Sequence, residues 1–169
     1  MQDRLRRQYQ VSREVSRKGY FEGELSFEHF ERLNELIHPE FDSRHNKVAI
    51  QFEFTTSEYG IPLFTGSLRT RLLLECQRCL GKVEFPVEQE FRLMIDASDD
   101  MVRESSMDTL YSDDGYIDIV EAIEDELILA IPLVVMHEDK SCNKHMPSLD
   151  MPAEVTKENP FSVLKQLKT

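Results

Sequence analysis

The chain has 169 residues, 40% hydrophobic and 31% charged, with ten Phe and no Trp, which is enough apolar material for one soluble domain with tails. Three cysteines argue for a reducing compartment over a disulfide framework, and the N-terminus shows arginines without the apolar run of a secretory signal. The formal net charge of −12 argues against nucleic acid as a uniform partner, but the charge is unevenly spread: residues 96–126 carry twelve acids against Arg103 alone.

In chain order, residues 1–20 read as a basic, weakly periodic arm, with Arg4, Arg6, Arg7, Arg13, Arg17 and Lys18 against Asp3 and Glu14 up to position 18. A solvated arm is the plain expectation, and an arm that lies on RNA or on an acidic partner is the sharper one. Ser26 then reads as an N-cap. Phe27, Phe30, Leu33 and Ile37 recur at helical spacing, and Pro39 stops the pattern.

Val48, Ile50, Phe52 and Phe54 alternate with polar neighbours as a strand, and Tyr59 to Pro62 form its turn. The next run places Leu68, Thr70, Leu72, Leu74 and Cys76 on one face. After it, Val83, Phe85, Val87, Phe91, Leu93 and Ile95 share a face. The seam between these strands is Cys76-Gln77-Arg78-Cys79-Leu80-Gly81, a C-x-x-C at a hairpin tip, where Gly81 is expected to take the backbone angles that a side chain resists. Short turns between three successive strands predict antiparallel pairing.

Residues 96–115 read as an acidic loop. Asp118 with Glu121 makes a capping pair for a helix that buries Ile119, Val120, Ile123, Leu127, Ala130 and Ile131, ends at Pro132, and keeps Glu124, Asp125 and Glu126 on or near its wet side. The apolar run at 127–136 is cut by that proline and too short to span a bilayer, so a cytoplasmic protein with no membrane partner is expected. A Pro- and charge-rich linker leads to Asn159, Pro160, Phe161, Leu164 and Leu167, which predict a short docking helix.

The expected fold is α+β: a hairpin-centred antiparallel sheet with a barrel-like curl, packed with a few helices. The expected layout is a basic arm over 1–20, an α+β core over 21–146 that contains the acidic loop, and a linker with the docking helix over 147–169.

Three groups of residues carry candidate chemistry. Cys76, Cys79, His137 and Cys142 match a tetrahedral Cys3His site for structural Zn2+, two ligands from each of two turns, with His145 as a competing nitrogen ligand. The alternative is three reduced thiols. Redox chemistry would want its first cysteine at a helix N-terminus. Arg69, Arg71, Arg78 and Lys82 cluster near the hairpin tip as an RNA-binding patch or as plain solubilising charge. Asp113, Asp114, Asp118, Glu121, Glu124 and Asp125 form an acidic surface for a basic partner. A Mg2+ site among Asp113, Asp114, Asp118, Glu121 and Asp125 lacks any selecting feature, such as a phosphate-cradling loop or a nearby histidine.

Three stretches together resemble one family: Leu74 to Leu80, Ile117 to Pro132 with the following His137 and Cys142, and Asn159 to Lys168. Their order and spacing are similar to the YceD family, the large ribosomal RNA subunit accumulation proteins of bacteria and plastids. The likeness is firm over roughly the last hundred residues and loose before them. It implies a non-enzymatic role in synthesis, processing or stability of 23S rRNA during large-subunit biogenesis. The partners it implies are rRNA or its precursor and a small basic ribosomal protein. Family members often carry further cysteines after the helix-ending proline, where this chain has His137 and then Cys142. The alternative function is a metal-dependent RNA-processing enzyme that uses the acidic cluster.

Overall fold

The computed structural model describes residues 5–96 and 107–142. The expected docking helix, His145 and part of the acidic loop lie outside the described residues. The elements run β1 (Gln8–Gln10), α1 (Val11–Arg17), β2 (Tyr20–Ser26), a 3-10 turn (Phe27–His29), α2 (Glu31–Leu36), β3 (Lys47–Thr56), β4 (Pro62–Glu75), β5 (Lys82–Asp96), β6 (Thr109–Tyr111), β7 (Tyr116–Asp118), α3 (Ile119–Ala130) and a closing 3-10 turn (Lys140–Cys142). Strands β2-β3-β4-β5-β6 form one curled half-barrel sheet, and β1 pairs with β7 in a second, two-stranded sheet. The architecture is α+β with the sheet dominant. Among the described residues, no helix is long and apolar enough to cross a membrane.

The sheet follows from period-two alternation. Val48, Ile50, Phe52 and Phe54 of β3 are all buried and their neighbours face solvent, so the strand has one dry face and one wet face. The β4–β5 hairpin is the longest pairing, antiparallel from Leu63↔Met94 down to Glu75↔Lys82. Its dry face continues the aromatic layer, with Phe52, Phe64 and Phe91 in ring contact across three strands. Gly66 stands in register between Phe52 and Phe91, and the Gln51 carbonyl, the Phe91 ring and the Phe52 Cβ take up the space its missing side chain leaves. Only β6 departs from the antiparallel expectation, running parallel to β5.

The expected solvated arm is corrected by the structure. From Leu5 onward the N-terminal segment belongs to the fold: Tyr9 is 1% exposed and makes ring contacts with Phe21, Phe52 and Phe54. The two-stranded sheet laces this segment to the entry of α3, since Ile119 N–H donates to the Arg7 carbonyl and Val11 N–H to that of Gly115. Glu14 of α1, 1% exposed, is held by Arg17 and by Arg6 at 3.6 Å, so the arm's charges neutralise a buried acid of their own.

Around α2 the single helix expected from Ser26 to Ile37 is a 3-10 turn and a short α-helix with a break at Phe30. Asn34 closes the break by donating to the Phe27 and Phe30 carbonyls. Ser26 does cap the first piece, accepting from Glu28 N–H. At α3 the Asp118 carboxylate accepts from the Val120 and Glu121 N–H groups, as the capping pattern predicts, and also pairs with Arg7 at 2.7 Å.

The wet face of α3 needs correction. Asp125 is exposed, but Glu124 and Glu126 are buried. Glu124 accepts from Leu33 N–H at 3.0 Å and pairs with Arg32, which fastens α2 to α3. Glu124→Ala therefore strands a buried N–H and leaves Arg32 only its exposed partner Asp125, and urea unfolding should register a loss of about 2 kcal/mol.

Burial pushes the Glu126 carboxyl above its ordinary pKa, and Asp108 and Asp125 add to the shift. An acid with a raised folded-state pKa binds more protons folded than unfolded. Its stabilising contribution is whole below the unfolded value and is lost as pH rises through the folded one. Glu126→Gln should therefore raise Tm at pH 7 and leave it nearly unchanged at pH 3.5, and equal shifts at both would contradict this reading.

Candidate metal centre

Strand β4 ends at Glu75, and the chain turns over Cys76-Gln77-Arg78-Cys79 before β5 begins at Lys82. The turn is closed at its base by Cys76 N–H to the Gly81 carbonyl and Leu80 N–H to the Cys76 carbonyl, both at 2.8 Å. The segment after α3 is strapped across this tip. Gln77 N–H donates to the Val135 carbonyl and its side-chain amide to the Leu133 carbonyl, each at 2.9 Å. Those bonds deliver His137 and Cys142 to the same place as the first two cysteines.

The ligand atoms of Cys76, Cys79, His137 and Cys142 all lie within 4.8 Å of one another. Thiolates about 2.3 Å from a tetrahedral zinc stand roughly 3.8 Å apart, so only a small contraction is needed for this set to fit the ion. His137 is oriented as a ligand should be. Its Nδ1 faces Cys79 Sγ at 3.4 Å, while Nε2 lies 2.8 Å from the Lys82 carbonyl and can donate to it. Among the described residues this is the only group of three or more Cys, His, Asp or Glu side chains that converge for a metal.

Electrostatics favour the thiolate at Cys76 and oppose it at Cys79. Burial alone would push the Cys76 thiol up, but the backbone N–H groups of His137, Arg78 and Cys79 aimed at its sulfur prevail and bring it down to about 5. At Cys79 the Gly81 N–H favours the thiolate, yet burial and the adjoining Cys76 and Cys142 sulfurs outweigh it and the thiol is raised. Hydrogen bonds to the Cys142 and Cys76 sulfurs and to the Lys82 carbonyl hold the His137 imidazole above its ordinary value. A divalent cation bound here displaces those protons. Cys76 is fully buried and follows a strand, which suits a ligand and not an exposed redox nucleophile.

One expectation about the tip is overturned. The left-handed residue is Leu80, at φ 59°, and not Gly81. Gly81 serves by absence: a Cβ there would come 3.3 Å from Cys79 Sγ and 3.8 Å from His137 Cε1.

The four cations expected to form one RNA patch divide into two groups. Arg78 turns into the cluster, with Nε 3.0 Å from Cys142 Sγ and NH2 donating to the His137 and Asp139 carbonyls. Lys82 pairs with Glu40. Arg69 and Arg71 lie on the wet face of β4, where Arg69 pairs with Glu88 directly across the ladder. Arg71, opposite Pro86, has no ion-pair partner among the described residues. Lys47, which periodicity did not single out, lines the same shallow groove as Arg69 and Arg71. Only register reveals that proximity.

The acidic set divides as well. Asp113, Asp114, Glu121 and Asp125 face solvent, Asp125 in contact with Arg32 at 2.7 Å. Asp118 is taken up by its cap and by Arg7, and Glu124 by α2.

Comparison with known proteins bears on this geometry. The family model described as large ribosomal RNA subunit accumulation protein YceD matches residues 64–168. Over 127 residues the chain is 32% identical to the large ribosomal RNA subunit accumulation protein YceD of Haemophilus influenzae, an alignment that takes in 70% of this chain and 72% of that protein. No solved structure matches the chain.

Proposed function

The chain belongs to the YceD family, and from that premise we propose that it is a non-enzymatic factor supporting accumulation of 23S rRNA in large-subunit biogenesis, acting in the cytoplasm. It contacts the rRNA or its precursor through the wet face of β4. A structural zinc held by Cys76, Cys79, His137 and Cys142 ties the β4–β5 tip to the segment after α3. The exposed acids Asp113, Asp114, Glu121 and Asp125 offer a separate surface to a small basic ribosomal protein.

The observation that carries this reading is how the charged side chains are used. Asp118, a carboxylate that a hydrolytic Mg2+ centre would recruit, caps a helix and pairs with Arg7, whereas the cysteine and histidine ligands converge on one point. That pattern supports a metal that holds shape and a surface that binds. The zinc would supply cross-linking of two segments and no reaction step. Phosphate contact falls to Arg71 and, once Glu88 and Glu24 are displaced, to Arg69 and Lys47.

Ultraviolet crosslinking of tagged protein in growing cells tests the contact. Large-subunit rRNA should be recovered on the wild type. The Arg69→Glu/Arg71→Glu variant should recover about tenfold less, because two reversed charges remove phosphate contacts and oppose neighbouring ones. Equal recovery would remove this face from the account. Purified protein incubated with precursor rRNA and Mg2+ should leave the RNA intact, and specific cleavage would favour an enzyme.

A further inference from the structure

The segment that straps the knuckle also carries an exposed apolar ledge. Leu129, Leu133, Val134 and Met136 are 74%, 96%, 56% and 48% exposed, and Leu80 at the knuckle tip is 69% exposed. Four of these lie in the loop after α3 and the turn bonded to it, and Leu129 lies in the last turn of α3; together they exceed the scattered single exposures usual on a monomer. Leu80 is the more telling because it holds a left-handed backbone that costs a residue with a side chain roughly 1–2 kcal/mol. A side chain kept in an unfavourable backbone and turned to solvent points to something that covers it.

We infer that the ledge is the docking site for the chain's own C-terminal segment, residues 159–168, bound as an amphipathic helix. The inference does not rest on the rRNA reading. Three observations select this occupant. First, the described chain stops at Cys142, whose sulfur meets Arg78 of the knuckle, so the remaining residues start at the ledge. The stretch from there to Phe161 can extend over roughly 60 Å, well beyond what is needed to turn back. Second, Phe161, Leu164 and Leu167 repeat at three-residue spacing as one apolar stripe of matching size.

Third, the charges are complementary. Residues 159–169 contain Lys165 and Lys168 and no acid. Exposed Glu138 and Asp139 belong to the segment that carries the ledge, and exposed Glu75 precedes the knuckle. The family match spans residues 64–168 and so takes in both the ledge and the segment.

The test uses the full-length chain with a photoreactive benzoyl-phenylalanine in place of Leu133, as a mixture of isotope-labelled and unlabelled protein. The expected product is a crosslink within one chain to residues 159–168. Leu164→Asp on the stripe should reduce its yield by roughly tenfold, while Ser162→Asp on the opposite face leaves it unchanged. Crosslinks between labelled and unlabelled copies would overturn the inference in favour of a dimer. Insensitivity to Leu164→Asp, or no crosslink to 159–168, would overturn it as well. In cells, crosslinking of Leu133 to a basic ribosomal protein in place of the tail would assign the ledge to that partner and count against self-docking.

Discussion

Cys79→Ser should abolish stoichiometric zinc and lower Tm by on the order of 10 °C. Cys79 is the ligand to replace because it is partly exposed, whereas Cys76 is fully buried and its loss would confound ligation with packing. A metal present at a thousandfold excess over its Kd stabilises by about 4 kcal/mol, and each kcal/mol is worth about 2–4 °C in a chain of this size. The core does not run through the knuckle: its aromatic layer is Tyr9, Phe21, Phe52, Phe54, Phe64 and Phe91. The variant should therefore remain folded with the strap after α3 loosened. Hydrogen exchange should quicken at Gln77, whose N–H depends on Val135, and stay slow in β3. Chelation of the wild type should reproduce the shift and leave the variant unaffected. Wild type isolated under reducing conditions with no metal and no response to chelator would refute the centre.

Gly66→Val should cost about 3 kcal/mol, enough to cut accumulation of folded protein in cells several-fold. A Cβ at this position would run into the Gln51 carbonyl oxygen and lie 2.6 Å from Phe91 Cζ and 2.9 Å from Phe52 Cβ. Two of these neighbours are side chains of the packed layer and one is backbone of β3, so the sheet has no cheap way to yield. Trimming the ring with Phe91→Leu in the same chain should restore part of the loss and not all of it, because the clash with the Gln51 backbone remains. Urea unfolding measures both, and a Gly66→Val variant as stable as wild type would mean that β3 and β4 are not paired in this register.

Much of the sheet is legible because its strands obey the period of two over most of their length, the exceptions being Leu63 and Phe64 and the run from Leu93 to Asp96, which are buried in succession. Val48 to Phe54 and Leu68 to Cys76 point inward as alternation requires. The Cys3His cluster is legible for a different reason: sulfur ligands are scarce in this chain, so its three cysteines leave few combinations. The N-terminal elements were obscured by charge. Glu14 lies on the buried face of α1 and breaks its apolar repeat, and only its pairing with Arg6 and Arg17, invisible to periodicity, makes that burial tolerable. Glu124 misleads in the same way, since an acid on a helix reads as wet until Leu33 and Arg32 are brought to it from ninety residues away. The knuckle cations share this limit. Arg78 is adjacent to Cys79 in sequence and so looked like surface, but its hydrogen bonds run to a segment about sixty residues on.

We propose that this chain sustains 23S rRNA through the wet face of β4, with the Cys3His knuckle at the end of that strand holding its shape. The most direct measurement is the ratio of 23S to 16S rRNA in cells depleted of the protein and supplied with wild type, Cys79→Ser or Arg69→Glu/Arg71→Glu at matched levels. The account predicts a lowered ratio on depletion, restoration by wild type and incomplete restoration by either variant. An unchanged ratio on depletion, or full restoration by both variants, would contradict it.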